Sequence, residues 1–301
     1  VNRMLSDMKL VCGVAMFMCV VMLPLQAMAM SWVVSGKQAS ELINQGEVTV
    51  LDTRSKASFE AGHVNVSQRV TWQEFSMSKG KNHGELLRDD AVLEHRLRAV
   101  GVWNDRPVLV VGDPLGGWGE EGRIVWMLRS LGHKNAALVD GGYKALSKFG
   151  VKTSSGKASS VEVGDFKIAR VGQFSASKKM LKSTLKKENV TVLDTRELRE
   201  FKGETPYGES RGGHVPGAKH LYFKDLMDKD GKVLTGKALE KVLKSHGIKG
   251  KDAPIVAYCT GGIRSAWVVA ILQSAGYSNA TNYAGSMWQW AAEESEAYPL
   301  E

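Results

Sequence analysis

Cysteine is scarce in this chain of 301 residues, and its three copies are unevenly placed. Cys12 and Cys19 lie in an apolar amino-terminal segment, so removal of that segment would leave Cys259 as the only thiol. A chain with one thiol forms no internal disulfide, which excludes redox exchange through a Cys-x-x-Cys pair. A single leftover thiol in an exported protein instead indicates a reactive group.

The chain also has no amino-terminal hydrophobic run of the length that a membrane span needs. The apolar run there, residues 10–25, has 16 residues, short of the roughly 20 of a spanning helix. Basic residues precede it and the small residues Ala27 and Ala29 follow it, which is typical of a secretory signal peptide. We expect a signal peptide over residues 1–29, export to the periplasm if the cell has an outer membrane, and no stable membrane anchor after cleavage. A retained anchor is the alternative.

Acidic residues are fewer than basic ones, and the formal net charge is +8. The lysines are spaced like the solvated faces of helices and are not gathered in one patch. This spacing favours a protein without a nucleic-acid partner. The positive balance still favours the approach of small anions.

The chain repeats itself over most of its length. The stretch 48-VTVLDTR-54 recurs as 190-VTVLDTR-196, and 107-PVLVVGD-113 matches 254-PIVAYCT-260. A period of about 145 residues indicates two copies of one domain and excludes a solenoid of short units.

The repeat defines the expected domain organisation. We expect a first domain over residues 31–150, a link over 151–161 and a second domain over 162–301. The link is rich in Ser, Gly and Lys, which predicts a flexible surface connection. Two packed domains already form a covered cleft, so we expect a monomer.

Short β-branched runs alternate with stretches of helical apolar spacing in each copy. The predicted strands are Val48–Leu51, Val108–Val111, Ala136–Val139, Val190–Leu193, Ile255–Tyr258 and Thr281–Tyr283. The predicted helices are Asp89–Val100, Glu121–Leu131, Ala238–His246 and Arg264–Ala275. This alternation predicts α/β domains with parallel sheets.

Cys259 opens the turn between a predicted strand and a predicted helix, the edge where open α/β sheets bind ligands. Gly261 and Gly262 let successive backbone N–H groups point inward around an anion. The helix amino terminus adds partial positive charge, and Arg264 adds a full one. This setting favours a thiolate with a lowered pKa. A buried and inert structural cysteine is the alternative.

The motifs together carry a family resemblance. Asp194-Thr195-Arg196, the stretch 211-RGGHVPGA-218 and the loop Cys259–Arg264 resemble those of tandem-domain rhodanese sulfurtransferases. These enzymes have an amino-terminal domain without the cysteine, and here Gly112 stands where the second copy has Cys259. The resemblance covers residues 32–301. It implies two rhodanese-like domains, each a parallel sheet flanked by helices on both faces.

The resemblance also implies an activity of the sulfurtransferase class (EC 2.8.1.-). The Cys259 thiolate would take the outer sulfur of thiosulfate or a persulfide and pass it to a thiol or to cyanide. No metal or organic cofactor is needed beyond the covalent persulfide. The substrate-binding residues of the loop would be Thr260, Gly261, Gly262, Ile263, Arg264 and Ser265.

Supporting residues follow from the same resemblance. Arg211 is expected as a second anion ligand, and Asp194 and Arg196 as a structural ion pair. Thiosulfate and 3-mercaptopyruvate enzymes carry an arginine just before an aromatic residue. Here Glu200 has that place, and the nearest arginine is Arg199, one position earlier, which we include as a substrate-binding candidate. The loop Cys-Thr-Gly-Gly-Ile-Arg matches neither type and is more like single-domain rhodaneses.

Two further segments have expected roles. His214 is expected to make a structural hydrogen bond, while Trp288 and Trp290 are expected to pack the last helix, with one of them lining the pocket. The acidic, glycine-rich stretch 112–123 is expected to cover or pack on the site of the other domain.

Three alternatives stay open beside thiosulfate or persulfide transfer. One is 3-mercaptopyruvate sulfur transfer, and another is a non-catalytic module that binds a persulfide or an oxyanion. An oxyanion phosphatase or arsenate reductase of the same fold would use Cys-x5-Arg, and the Cys-x4-Arg spacing argues against it. Nothing in the residues separates sulfur from selenium chemistry.

Overall fold

A computed structural model describes residues 29–185, 187, 189–248 and 250–301. The predicted signal peptide therefore lies outside the described residues, apart from Ala29. Within the part of the chain that is described, no helix combines the length and the apolarity that crossing a membrane requires.

Helices and strands alternate along both halves of the described chain. The helices are α1 Gly36–Gln45, α2 Lys56–Ala61, α3 Asp90–Ala99, α4 Glu120–Ser130, α5 Gly142–Leu146, α6 Lys178–Thr184, α7 Leu198–Phe201, α8 Gly236–Ser245, α9 Arg264–Ser274 and α10 Ser286–Trp290. The strands are β1 Val33–Val34, β2 Thr49–Asp52, β3 His63–Val64, β4 Ser67–Arg69, β5 Val108–Val111, β6 Ala136–Val139, β7 Thr153–Ser154, β8 Thr191–Asp194, β9 Lys219–His220, β10 Ile255–Tyr258 and β11 Ala280–Asn282.

The first half holds a parallel sheet in the order β1-β6-β5-β2-β4. The central strand β5 is fully buried on both faces. Its residues Val108 and Val110 join one apolar cluster, while Leu109 and Val111 join another. This alternation shows why the strand is a continuous β-branched and apolar run, since parallel sheets are covered on both faces.

The second half repeats the arrangement with a parallel sheet in the order β11-β10-β8-β9. Strand β10 again divides its side chains between two clusters, Ile255 and Ala257 in one and Val256 and Tyr258 in the other. The two sheets confirm the α/β class and the parallel sheets with helices on both faces. They also place Cys259 directly after the carboxyl end of a central strand.

The two halves share one core cluster. Helix α4 of the first half packs along α9 of the second, and buried side chains of both helices belong to the same apolar cluster. Gly122 lies at the crossing, where a Cβ would come within 2.4 Å of the backbone of Trp267. The halves are therefore held together by a close helix pair, and the crossing lies just after the end of the loop that carries Cys259.

The predicted elements are confirmed with small shifts. Three strands have the predicted bounds, while β2 and β8 begin and end one residue later and β11 one residue earlier than predicted. Helix α8 begins two residues before the prediction, at Gly236. Element ends shift most because caps and hydrogen bonds, rather than apolar spacing, decide them.

The predicted link differs from expectation in one respect. Its residues Thr153 and Ser154 form β7, which pairs antiparallel with β3 of the first half. The N–H of Gly156 donates to the carbonyl of Glu60 at 2.8 Å. Residues 153–156 are therefore attached to the first half by backbone hydrogen bonds in a separate two-stranded sheet, β3-β7, and this part of the link differs from the expected flexible connection. The domain bounds 31–150 and 162–301 stay predictions.

The helix crossing gives a test of how the halves are joined. Gly122→Ala would force α4 and α9 apart, so we expect a loss of about 1–3 kcal/mol of unfolding free energy. Gly172→Ala is the matched control, because a Cβ there meets no atom within 4 Å. Denaturant unfolding of both variants measures the effect. Equal stability of the two variants would contradict the close crossing.

Candidate active site

Cys259 lies on the floor of a cavity of about 240 Å³ and is 1% exposed. The loop after it curls around the sulfur, and the N–H of Gly262 donates to Sγ at 3.1 Å. Gly262 has φ +79°, a left-handed backbone that glycine adopts without strain. The sequence therefore folds into an anion cradle because a strand end, two glycines and a helix start follow one another.

The last helix holds this loop in place from below. The N–H groups of Met287 and Trp288 donate to the carbonyls of Cys259 and Thr260, at 3.1 and 2.9 Å. The N–H of Cys259 donates to the hydroxyl of Ser286 at 3.1 Å. Because these backbone groups are bound behind the loop, its remaining N–H groups are free to face the sulfur.

The thiol of Cys259 is poised toward its charged form. Burial raises its pKa, but the Arg264 guanidinium and hydrogen bonds from Ser265 and Gly261 outweigh burial and hold the pKa below its usual value. The thiolate is the nucleophilic form of cysteine. The structure therefore supports a reactive thiol over an inert structural one.

Arg264 has a different role from the one its position suggested. Its guanidinium makes a bidentate pair with the Glu200 carboxylate at 2.6 and 2.8 Å, and both side chains are buried. It also donates to the hydroxyl of Thr260 at 2.6 Å. That hydroxyl lies 2.7 Å from Glu200 and 3.3 Å from Glu209, a second buried carboxylate. The charge of Arg264 lowers the pKa of the thiol, while both terminal nitrogens of its guanidinium donate to protein groups.

Aromatic side chains form the walls of the cavity. Trp72, Trp118, Tyr207 and Trp288 all line it. Trp118 and Tyr207 meet edge to face with centroids 5.4 Å apart, and the Arg264 guanidinium lies 5.0 Å from the centre of the Trp118 ring. Both halves of the chain therefore contribute aromatic side chains to the walls of the cavity.

The first half covers the site, as its long glycine-rich loop indicated. Trp118 and Glu120 of that loop line the cavity that contains Cys259. Arg123, which follows, is buried and donates to the carbonyl of Gly262 at 3.0 Å, the hydroxyl of Ser76 at 2.9 Å and the carbonyl of Gly84 at 2.6 Å. Burial lowers the pKa of Arg123 to about 10, against the opposing effect of Cys259. This support for the loop was missed in the sequence.

The place of the missing cysteine in the first half is filled by a carboxylate. A Cβ at Gly112 would lie 2.2 Å from Oε2 of Glu121. Glu121 is fully buried, and neither of its carboxylate oxygens has a hydrogen-bond partner among the described residues. Burial and the nearby charge of Glu120 raise its pKa to about 7. The first copy therefore has no room for the chemistry of the second.

The predicted loop residues lie together. Thr260, Gly261, Ile263 and Arg264 line the cavity with Cys259. Ser265 is buried behind the loop instead, and its hydroxyl donates to Asn282 at 2.7 Å. Its contribution is to the pKa of Cys259 and not to the cavity wall.

Arg211 lies elsewhere than expected. Its guanidinium donates to the backbone carbonyls of Ala291, Trp290, Glu293 and Tyr298, at 3.0 to 3.3 Å for the first three and 2.9 Å for the last. It is not among the residues that line the cavity. The structure therefore assigns it to holding the carboxyl-terminal segment, which corrects the expectation of a second anion ligand.

Arg199 also lies outside the cavity. Its side chain is 47% exposed and pairs with Glu197 at 2.9 Å and Glu204 at 3.7 Å. Among the residues that line the cavity, Arg199 donates to the hydroxyl of Tyr207, at 3.3 Å. The helix turn that puts Glu200 beside Arg264 points Arg199 away, so the carboxylate occupies the place where a substrate arginine was sought.

The remaining predicted residues have structural positions. Arg196 makes a bidentate pair with Asp194 and donates to the carbonyl of Gly213 at 2.8 Å. His214 contacts the carbonyl of Phe201 at 3.0 Å. Trp290 is fully buried. Within the described part of the chain, no group of three or more His, Cys, Asp or Glu side chains is arranged to hold a metal.

The lowered pKa of Cys259 predicts a measurable pH profile. The rate of alkylation by iodoacetamide should fall as the pH drops through a midpoint below about 8.5, the value of an ordinary cysteine. Arg264→Gln should raise that midpoint, because the charge of the guanidinium favours the thiolate. Arg88→Gln, which removes a guanidinium whose side chain is 70% exposed, should not. A wild-type midpoint at or above the ordinary value would contradict the cradle.

The raised pKa of Glu121 predicts a pH-dependent stability. The folded state keeps the proton up to about pH 7 while the unfolded chain loses it near 4.5, so stability falls as the pH rises between them. Glu121→Gln should not lose stability as the pH rises. Its unfolding free energy should exceed that of the wild type by about 3 kcal/mol at pH 8 and should differ little from it at pH 4.

Thermal unfolding at both pH values, with Glu41→Gln as control, measures the Glu121 effect. Glu41 has a side chain 57% exposed, so its loss should change stability little at either pH. A Glu121→Gln variant with the same pH dependence as wild type would show that the carboxylate is not held uncharged.

Comparison with known proteins agrees with this geometry. The sequence model of the rhodanese-like domain matches residues 35–148 and 177–293. A probable 3-mercaptopyruvate sulfurtransferase of Pseudomonas aeruginosa is 29% identical over 217 residues, 71% of this chain and 75% of that protein. A putative thiosulfate sulfurtransferase of Haloferax volcanii is 30% identical over 246 residues, 77% of this chain and 82% of that protein.

The solved structures agree on the fold. SseA from Escherichia coli superimposes with a TM-score of 0.74 at 21% identity, covering 85% of this chain and 99% of that one. Both sheets, the loop at Cys259 and the two matched segments lead to one assignment. The chain belongs to the rhodanese-like domain family and carries that domain twice.

Proposed function

We propose that this chain is a sulfurtransferase that moves sulfane sulfur from thiosulfate or a persulfide to a thiol or cyanide acceptor. The observation that carries the proposal is the Cys259 thiol, whose pKa is lowered and whose sulfur accepts the Gly262 N–H at 3.1 Å inside a cavity of about 240 Å³. Relatives named as thiosulfate and as 3-mercaptopyruvate sulfurtransferases support the reaction class.

The first half-reaction loads the thiol. The Cys259 thiolate attacks the outer sulfur of the donor, a new S–S bond forms on Sγ, and the old S–S bond of the donor breaks. With thiosulfate the leaving group is sulfite, which departs with the electron pair. The backbone N–H groups of the loop stabilise the negative charge on the terminal sulfur because they are already aimed at it.

The second half-reaction unloads the persulfide. An external thiolate or cyanide attacks the terminal sulfur, and the Cys259 thiolate leaves in its original form. Covalent catalysis of this kind divides one transfer into two easier ones. The acceptor comes from outside the protein, and we propose that no metal or organic cofactor takes part.

The proposal also covers the cellular compartment, the oligomeric state and the identity of the sulfur donor. The amino-terminal segment supports an exported, periplasmic protein. We propose a monomer, since both halves already close over one cavity. The donor 3-mercaptopyruvate is the second candidate, because one of the relatives bears that name.

Mass spectrometry of the purified protein tests the proposal. Excess thiosulfate should add one sulfur mass to the peptide that contains Cys259, and cyanide should remove it with release of thiocyanate. Cys259→Ser should stay unchanged. The mass of the amino-terminal peptide from exported protein also tests cleavage near Ala27 or Ala29.

Other outcomes separate the alternatives. Loading by 3-mercaptopyruvate alone would select the second candidate. If thiosulfate, 3-mercaptopyruvate and polysulfide all leave the thiol unmodified, catalysis is excluded and the chain is a binding module.

A further inference from the structure

The charge of the cavity is the feature that bears on which molecules exchange sulfur with Cys259. Arg264 is the cationic side chain among the residues that line the described cavity. Its guanidinium is held bidentate by Glu200, and the Thr260 hydroxyl beside it also faces Glu209. Two buried carboxylates therefore face one buried guanidinium. Burial opposes and the hydrogen bonds from Arg264 prevail, so the pKa of Glu200 lies below its usual value and the pair is charged.

An incoming anion has to compete with Glu200 and Thr260 for the Arg264 guanidinium. To pair with Arg264, a sulfonate or carboxylate would have to displace Glu200 and leave it buried without a partner, which is strongly unfavourable. Arg123, the other buried guanidinium near the sulfur, donates to three protein oxygens behind the loop and does not line the cavity. The cradle therefore serves the small sulfur atom and offers no second anion site.

The walls favour the opposite charge. Four aromatic rings and the Glu120 carboxylate surround the approach to Cys259. Trp72 and Trp288 lie with centroids 6.2 Å apart, and Trp118 already contacts one cation, the Arg264 guanidinium. Ring faces attract ammonium groups when water is excluded. Burial raises the pKa of Glu120, whose Oε2 accepts the backbone N–H of Trp118 at 2.7 Å while the residue lines the cavity.

We propose that the partner molecule of Cys259 is an organic thiol without acidic groups, preferably one that bears an ammonium group, together with the persulfide of that thiol. The inference rests on the proposed sulfurtransferase function and names its substrate class. The anionic persulfide left by loading takes up a proton from water, and the unloading step is then Cys259–S–SH plus R–S⁻ giving Cys259–S⁻ plus R–S–SH. The S–S bond to Sγ breaks, a new S–S bond forms on R, and the proton stays on the terminal sulfur.

The same thiol serves in both directions. Loading by R–S–SH is the reverse of unloading by R–S⁻, so it passes through the same transition state and the same contacts with the cavity walls. Thiosulfate, a dianion, is then a slower donor than a neutral or cationic persulfide.

The test compares thiols that differ in charge. Cys259 is first loaded with polysulfide and freed from excess reagent by desalting. The loss of the sulfur mass is then timed with thiocholine, cysteamine, 2-mercaptoethanol and 3-mercaptopropionate at equal thiolate concentrations. Each rate is divided by that of the same thiol with a small uncharged persulfide, which removes differences in intrinsic nucleophilicity.

The expected order is cationic, then neutral, then anionic. At low ionic strength thiocholine should exceed 3-mercaptopropionate by roughly tenfold, as a desolvated cation–π contact allows. High salt should reduce the ratio of these two rates, because the charge at the opening is partly screened.

Two variants locate the selectivity. Glu120→Gln keeps an acceptor for the backbone N–H of Trp118 and removes the charge, so the difference in rate between thiocholine and 3-mercaptopropionate should become smaller. Glu41→Gln removes an exposed charge that does not line the cavity, and it should leave this difference unchanged. Glu200→Gln should raise the rates of 3-mercaptopropionate and thiosulfate relative to thiocholine, because the Arg264 charge is released.

The outcomes are separable from those of the proposed function. If loading succeeds and 3-mercaptopropionate reacts as fast as thiocholine after correction, the inference is overturned while sulfur transfer stands. A gap that survives Glu120→Gln and Glu200→Gln unchanged would also overturn it. If no donor loads Cys259, the proposed function fails and this inference fails with it.

Discussion

The bidentate pair between Arg264 and Glu200 is the interaction on which the site depends. It joins the first residue of α9 to the short helix α7, and the two residues are 64 positions apart in the chain. The pair fixes the end of the Cys259 loop and places positive charge near the thiol. Breaking a buried pair by removing one partner commonly costs several kcal/mol because a charge is left unpaired. The same contact therefore holds the loop, lowers the pKa of the thiol and uses up the guanidinium.

The two copies of the domain contribute different parts of a single site. The second half supplies the sulfur and its cradle, while the first supplies Trp118, Glu120 and the buried Arg123. Helices α4 and α9 cross closely at Gly122, so the first half is attached just after the Cys259 loop ends. Residues of both halves line the cavity, and Cys259 is only 1% exposed.

Local patterns predicted the fold and the cradle because both depend on short stretches. The β-branched runs, the repeat of VTVLDTR and the glycines after Cys259 each act on neighbouring residues. The contacts of Glu200, Glu209 and Arg123 could not be predicted in this way, since they join residues that are distant in the chain. Glu200 was visible only as a departure from a pattern.

Arg211 shows that a local motif can also predict a wrong role for a side chain. It stands in a motif shared with enzymes that bind anions, but a motif fixes the backbone more firmly than it fixes the direction of a long side chain. Four carbonyl oxygens 79 to 87 positions later decide that direction. The signal that could have identified this role is the carboxyl-terminal segment itself, which needs donors for its carbonyls.

The carboxylate of Glu121 beside Gly112 has a consequence for the history of the chain. A cysteine restored at Gly112 would meet Glu121 at once, so both residues would have to change together. The loop would have to shorten as well, because α4 begins eight positions after Gly112 and α9 five positions after Cys259. No single substitution along that route gives a thiol in an open cradle, so the asymmetry between the two copies is not readily reversed by stepwise mutation.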